Sequence, residues 1–152
     1  MVLTVQTSSH PAVTVSRPAI KAKELVYIAV ANKPIKYSNG KSRIVYIGTT
    51  AAGVDRIAVS AANKAGMLLG HHGITSLEFF VVTSSSKSGT KTWRKLERGL
   101  LLAFKDMYGE PPTCNTAGKR MKWTDETDYF SNYRLASIIE KYSLRSVTTK
   151  AK

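Results

Sequence analysis

Two short apolar segments, each carrying a tyrosine, constrain the fold of this chain most: Leu25-Val26-Tyr27-Ile28 and Val45-Tyr46-Ile47-Gly48. The first extends to Ala31 and is apolar on both alternating faces, as in a strand buried on both sides. The second strand covers residues 43–49. Between them, residues 32–42 are polar, contain Pro34 and carry Asn39-Gly40, a strong turn dipeptide. The two segments therefore predict an antiparallel hairpin with a long basic tip holding Lys33, Lys36, Lys41 and Arg43.

Downstream the period changes. Apolar residues at 54, 57, 58, 61, 65 and 68 follow helical spacing, and Arg56, Ser60, Asn63 and Lys64 fall on the other face. Gly70 and Gly73 close this helix, with His71 and His72 between them read as helix-capping residues. Residues 77–83, rich in Phe and Val, predict a third strand, and residues 84–90 a small polar loop. A second helix is expected from Trp93 to Tyr108, capped by Thr90 or Thr92. Its buried stripe is Trp93, Leu96, Leu100, Phe104 and Met107, and Gly109 with Pro111-Pro112 ends it. A basic loop with Lys119, Arg120 and Lys122 then leads to a last helix over residues 129–142.

The expected class is α+β: a small three-stranded antiparallel sheet flanked by helices in β-β-α-β-α order, with an extra C-terminal helix. Residues 1–20 read as an arm, either flexible or adding an edge strand around Val13-Thr14-Val15. Residues 21–145 form a single domain, and residues 146–152 a basic tail.

Composition narrows the function. At 152 residues the chain suits one domain with a real core, and 43% hydrophobic content argues against disorder. With 23 Lys and Arg against 10 Asp and Glu, the formal charge is 23 − 10 = +13. Such an excess favours a polyanionic partner, nucleic acid above all, with an acidic protein partner or a solubilising surplus as alternatives. The lone Cys114 excludes an intrachain disulfide and argues against a cysteine-based zinc site, which suits a cytoplasmic protein. No signal-peptide pattern is present, and the longest apolar run, Leu25 to Ala31, is far short of the ~20 residues a bilayer needs. No membrane association is expected.

Five residues then carry chemistry together that none carries alone. Tyr27 and Tyr46 each read as ordinary core tyrosines; as a pair across a hairpin they can face a phosphate and manage a water proton. Arg56, ten residues after Tyr46, is either a solvated helix arginine or a bidentate phosphate clamp. Glu97 borders the buried stripe of the second helix, so its charge needs a cation. That cation is Arg94, Lys95 or Arg98 in a structural reading, and Arg56 or a divalent metal in a functional one. Asn115 alone is a turn asparagine; beside a phosphate site its amide can orient water or backbone oxygens.

The order Tyr, Tyr-Ile-Gly, Arg ten residues on, Glu on the following helix and Asn in a loop resembles the GIY-YIG nuclease family over residues 25–115. Leu25 replaces that family's first glycine, the eighteen residues between the tyrosines exceed its usual hairpin, and no histidine or lysine directly follows Tyr-Ile-Gly. The resemblance implies the three-stranded fold and a DNA endonuclease that hydrolyses phosphodiesters with one Mg2+ (or Mn2+). Tyr27 and Tyr46 would be the catalytic tyrosines, Arg56 the phosphate clamp, Glu97 the metal ligand and Asn115 the positioning amide. Gly48 would give DNA close backbone access, and Lys64, Lys91, Arg94, Lys119 and Arg120 would hold it. The substrate is duplex or branched DNA, and a homodimer is compatible with the small size. The alternatives are a catalytically inactive nucleic-acid-binding module of the same fold, or a basic structural protein of an RNA assembly.

Overall fold

A computed structural model describes residues 3–12, 14 and 19–144 of the protein. Strand β1 (Leu25–Tyr37) and strand β2 (Gly40–Thr50) pair antiparallel, from Leu25 opposite Thr50 to Tyr37 opposite Gly40. The expected long tip is thus replaced by a tight turn at Ser38-Asn39. Gly40 has φ 121°, a conformation that favours glycine.

The surplus residues are absorbed inside β1. Val30 pairs with Ile44 and Ile35 with Ser42, so four residues of β1 lie across from Arg43 alone. Pro34 has no N–H for the ladder, and the bulge takes it out of the pairing. Ala31 instead pairs with Leu77, and the Asn32 N–H donates to the Ser76 carbonyl. The turn is docked, not free: the Asn39 N–H donates to the Tyr108 carbonyl, and the Ser38 N–H to a Glu110 carboxylate oxygen.

The remaining elements are helix α1 (Val54–Leu68), strand β3 (Leu77–Val82), helix α2 (Thr92–Tyr108), a 3-10 turn at Glu126–Asp128 and helix α3 (Asn132–Leu144). The sheet order is β2-β1-β3, antiparallel throughout, and the class is α+β as expected. Because β1 is central and covered on both faces, every residue from Leu25 to Ala31 is buried. One face presents Val26, Ile28, Val30, Ile44 and Ile47 to Leu96, Leu100 and Phe104 of α2 and to Leu135 and Ile139 of α3. On the other face Leu25 and Tyr27 pack with Ile57 of α1, and Ala29 and Ala31 with its Leu68.

Several local expectations need correction. Neither Thr90 nor Thr92 caps α2; Lys91 occupies the cap without a side-chain bond, while the Thr92 hydroxyl accepts from Ser84. Trp93 and Met107 are only partly buried, and Leu101 to Ala103 join the core because α2 is covered by both the sheet and α3. The last helix begins at Asn132, the 3-10 turn taking up part of the preceding segment. Helix α1 ends in extended backbone at Leu69, and His71 and His72 are exposed in the turn beyond.

Residues 3–12 are exposed, consistent with an arm outside the core. Of the suggested edge strand, Thr14 is not in a strand, and Val13 and Val15 lie outside the described residues, as do residues 145–152. Among the described residues no helix is long and apolar enough to cross a membrane.

Candidate active site

The hairpin register brings the two tyrosines together. Tyr27 is paired with Gly48, and Tyr46 lies two residues earlier on β2, so both side chains leave the same face. Their ring centroids are 5.9 Å apart at an interplanar angle of 46°. Gly48 is the reason they fit. A Cβ there would lie 2.6 Å from Tyr46 Cε1 and 2.9 Å from Tyr27 Cζ, so both rings lean over bare backbone. Leu25, where the resemblance leads one to expect glycine, is fully buried in the cluster that contains Tyr27 and Ile57.

Helix α1 supplies the next layer, from the face opposite its apolar stripe. The Ser60 hydroxyl hydrogen-bonds the Tyr27 hydroxyl at 2.7 Å. Lys64, one turn on, places its ammonium 4.3 Å from the Tyr46 ring centroid and donates to the Cys114 carbonyl at 3.3 Å. Arg56, one turn before Ser60, remains exposed, and no hydrogen bond or ion pair holds its guanidinium among the described residues. Burial pushes the Tyr46 phenol up to about 12; Tyr27 and Glu97 add to the rise, and Arg56 opposes it. That ties Arg56 and Glu97 electrostatically to the same phenol.

Glu97 is half-buried on α2, and burial raises its carboxyl to about 7 although Arg94 opposes the shift. The neighbouring cations are otherwise engaged: Lys95 pairs with Asp125, and Arg98 with the fully buried Glu126. Among the described residues no ion pair or hydrogen bond reaches the Glu97 carboxylate, which sets aside Lys95 and Arg98 as structural partners.

Asn115 reaches the site through the backbone. Its Oδ1 accepts from the Ile47 N–H at 3.0 Å and its Nδ2 donates to the Ile47 carbonyl at 2.8 Å. The side-chain amide so completes the outer edge of β2 between Tyr46 and Gly48. Both the acceptor and a donor of the amide are used in doing so.

The basic residues divide. Arg94 joins Arg56, Trp93, Thr49, Thr50, Ala51 and Ala52 around an open cleft of about 420 Å3, with Lys91 exposed at the start of the same helix. Lys119 and Arg120 lie elsewhere: the Lys119 carbonyl accepts from Lys105 Nζ. Lys105 is eleven residues from Arg94, or about 16 Å along the helix. The hairpin cations Lys36 and Lys41 are paired across the strands seven residues of β2 beyond Gly48, about 23 Å away.

Sequence reasoning missed Ser60 and Trp93. Ser60 lies four residues after Arg56, a spacing that puts both on one helix face. Trp93 lies four before Glu97, so the signal for it was equally available.

For a divalent metal the chain offers little on its own. No group of three or more His, Cys, Asp or Glu side chains gathers among the described residues. One half-buried carboxylate without a bonded cation fits an ion that draws its other ligands from water and substrate phosphate. No protein-family model, curated protein or solved structure matches the chain.

Proposed function

We propose that this protein is a metal-dependent DNA endonuclease of the GIY-YIG type, with its active site at Tyr27, Tyr46, Arg56 and Glu97. The observation that carries the reading is the convergence of three groups from three elements. A tyrosine pair sits over bare Gly48, and the unpaired Arg56 and the unpaired Glu97 both act on the Tyr46 phenol. Burial holds the Glu97 carboxyl near 7 with only Arg94 opposing, so an added cation would draw it into its charged form and find it without a bonded partner.

In this reading the scissile phosphate lies against Arg56, whose planar guanidinium binds two of its oxygens and balances the charge that builds as water attacks phosphorus. Mg2+ or Mn2+ held by Glu97 would supply charge neutralisation at the phosphate. The water oxygen forms the new bond to phosphorus, the bond to the leaving oxygen breaks, and the water proton passes to the tyrosine pair.

At about 12, the Tyr46 phenol keeps its own proton at neutral pH. Removing it at pH 7 costs about 7 kcal/mol. It therefore serves as a relay, accepting a proton as it hands its own through the hydroxyls of Tyr27 and Ser60 to solvent, while the leaving oxygen takes a proton from water. Ser60 holds the Tyr27 hydroxyl in place, Lys64 supports the Tyr46 ring, and Asn115 fixes the β2 backbone between the two functional positions. Arg94 and Lys91, at the positive end of the α2 dipole, favour the flanking phosphates. A cytoplasmic location goes with this reading on the strength of the single cysteine.

A catalytically silent DNA-binding module is the second reading, and the high pKa of the Tyr46 phenol favours it. Nicking of supercoiled plasmid by the wild type and by Glu97→Gln, in Mg2+ and in EDTA, separates the two. Metal-dependent nicking lost in the variant is expected. A folded wild type that binds DNA and cuts neither plasmid nor branched substrates in any divalent metal selects the silent module. Equal cutting by both proteins removes Glu97 from the mechanism.

A further inference from the structure

The cleft beside Arg56 has a feature that phosphate binding leaves unused: the indole of Trp93. This side chain is partly exposed, lines the cleft and belongs to none of the three hydrophobic clusters, whereas the second tryptophan, Trp123, packs against the main core and donates its N–H to Asp106. Among the described residues no ring contact or hydrogen bond engages Trp93. A partly exposed indole that shares a cleft with two arginines and has no ring or hydrogen-bond partner offers an aromatic face to whatever enters that cleft.

The rest of the lining narrows what fits. Thr49 and Thr50 have their hydroxyls occupied, one donating to the Leu25 carbonyl and the other accepting from the Ala52 N–H. Part of their hydrogen-bonding capacity is thus taken up by the protein's own backbone. Ala51 and Ala52 are small and exposed, and the turn is pinned where the Gly53 N–H donates to the Lys23 carbonyl. The result is an open cleft of about 420 Å3 lined by one indole and two guanidinium groups, whose donors suit phosphate oxygens. Small-ligand clefts run from about 300 to 1,000 Å3. A flat π-system next to a phosphate meets all of these conditions, and a nucleobase is such a group.

We propose that Trp93 is a stacking platform for an unpaired base next to the scissile phosphate, so that the substrate is DNA with an unstacked nucleotide at the cut. This rests on the nuclease reading for the position of the phosphate. It goes beyond that reading by choosing single-stranded or branched DNA over a continuous duplex, whose bases stay stacked and out of reach of the cleft. Stacking on an aromatic side chain is tolerant of sequence, since every base has a π-face. The site then recognises the structure of the strand, not its letters.

The test is binding in EDTA, which needs no cleavage and so stands apart from the question of catalysis. In Trp123→Phe, Trp93 is the sole tryptophan. Its fluorescence is expected to be quenched by a single-stranded DNA oligonucleotide and by a duplex carrying a central bulge, and left unchanged by a continuous blunt duplex. Fluorescence anisotropy with labelled oligonucleotides gives a second route in the otherwise native protein. There Trp93→Leu is expected to weaken single-strand binding by about tenfold or more, while blunt-duplex binding stays within about twofold. Equal quenching by single strand and duplex, or a Trp93→Leu variant with both affinities unchanged or both equally reduced, overturns the proposal. Tighter binding of the RNA oligonucleotide of the same sequence overturns the assignment to DNA.

Discussion

Gly48 sets the geometry of the tyrosine pair more directly than either tyrosine does. The rings occupy the space where any side chain would start, the nearest atom being 2.6 Å from a built Cβ. Gly48→Ala must therefore displace aromatic rings wedged against β1 and α1, and overpacking of this kind costs about 1–3 kcal/mol. Gly66→Ala is the matched control: nothing lies within 4 Å of its Cβ position on α1, and alanine in a helix gains about 0.5–1 kcal/mol. Urea unfolding of the two variants is expected to give shifts of opposite sign. Only Gly48→Ala should change the near-ultraviolet dichroism of the tyrosines.

Helix α2 is held by a loop that wraps it, and the attachment is ionic. Glu126 is fully buried; its Oε2 accepts from the Thr124 N–H, and its Oε1 pairs with Arg98. Burial pushes this carboxyl up, but the Thr124 N–H and Arg98 outweigh it and bring it from 4.5 down to about 2. With the folded pKa below the unfolded one, Glu126 stabilises the protein above pH 4.5, and that contribution is lost as pH falls towards 2. The shift corresponds to at most about 3 kcal/mol, and screening lowers it because Arg98 is 35% exposed. Glu126→Gln is thus expected to melt below the wild type at pH 7 and to converge with it near pH 2. A constant gap across that range would assign Glu126 a packing role instead.

Over the whole molecule, the +13 charge is distributed so that only part of it borders the cleft. Each phosphate neutralised contributes a slope of about −0.9 to the salt dependence of duplex binding. Arg94→Ala is expected to flatten that slope by about one, whereas Lys119→Ala with Arg120→Ala, in the loop beside the far half of α2, should leave it nearly unchanged. Titrations at several salt concentrations decide this. A larger effect of the distant pair would move the DNA path to the loop side of α2.

How much was legible in the sequence depends on the range of the forces involved. The apolar block from Leu25 to Ala31, the helical spacing of α1 and the Gly109 stop of α2 are short-range patterns; the two helices stand where they were expected, and the first strand starts at Leu25 as expected but runs on to Tyr37. The hairpin tip was misjudged because polar residues and Pro34 read as a loop. Its extended backbone survives through partners more than 40 residues away, Ser76 and Thr75 for Asn32. Ser60 and Lys64 were placed on the face of α1 away from its apolar stripe, Lys64 as a contact for nucleic acid. They turn inward because two phenols there give them something to bond to.

By itself, then, the sequence determined the elements, their order and the residue types available for phosphate chemistry, since periodicity, turn residues and net charge are local or additive properties. Only the tertiary structure decided which of those residues meet. Register across the hairpin stacked Tyr27 with Tyr46 over Gly48, packing of α1 brought up Ser60 and Lys64, and competition among ion pairs left Glu97 and Arg56 unpaired. Register, packing and pairing join residues far apart in the chain, and only the folded chain closes those distances.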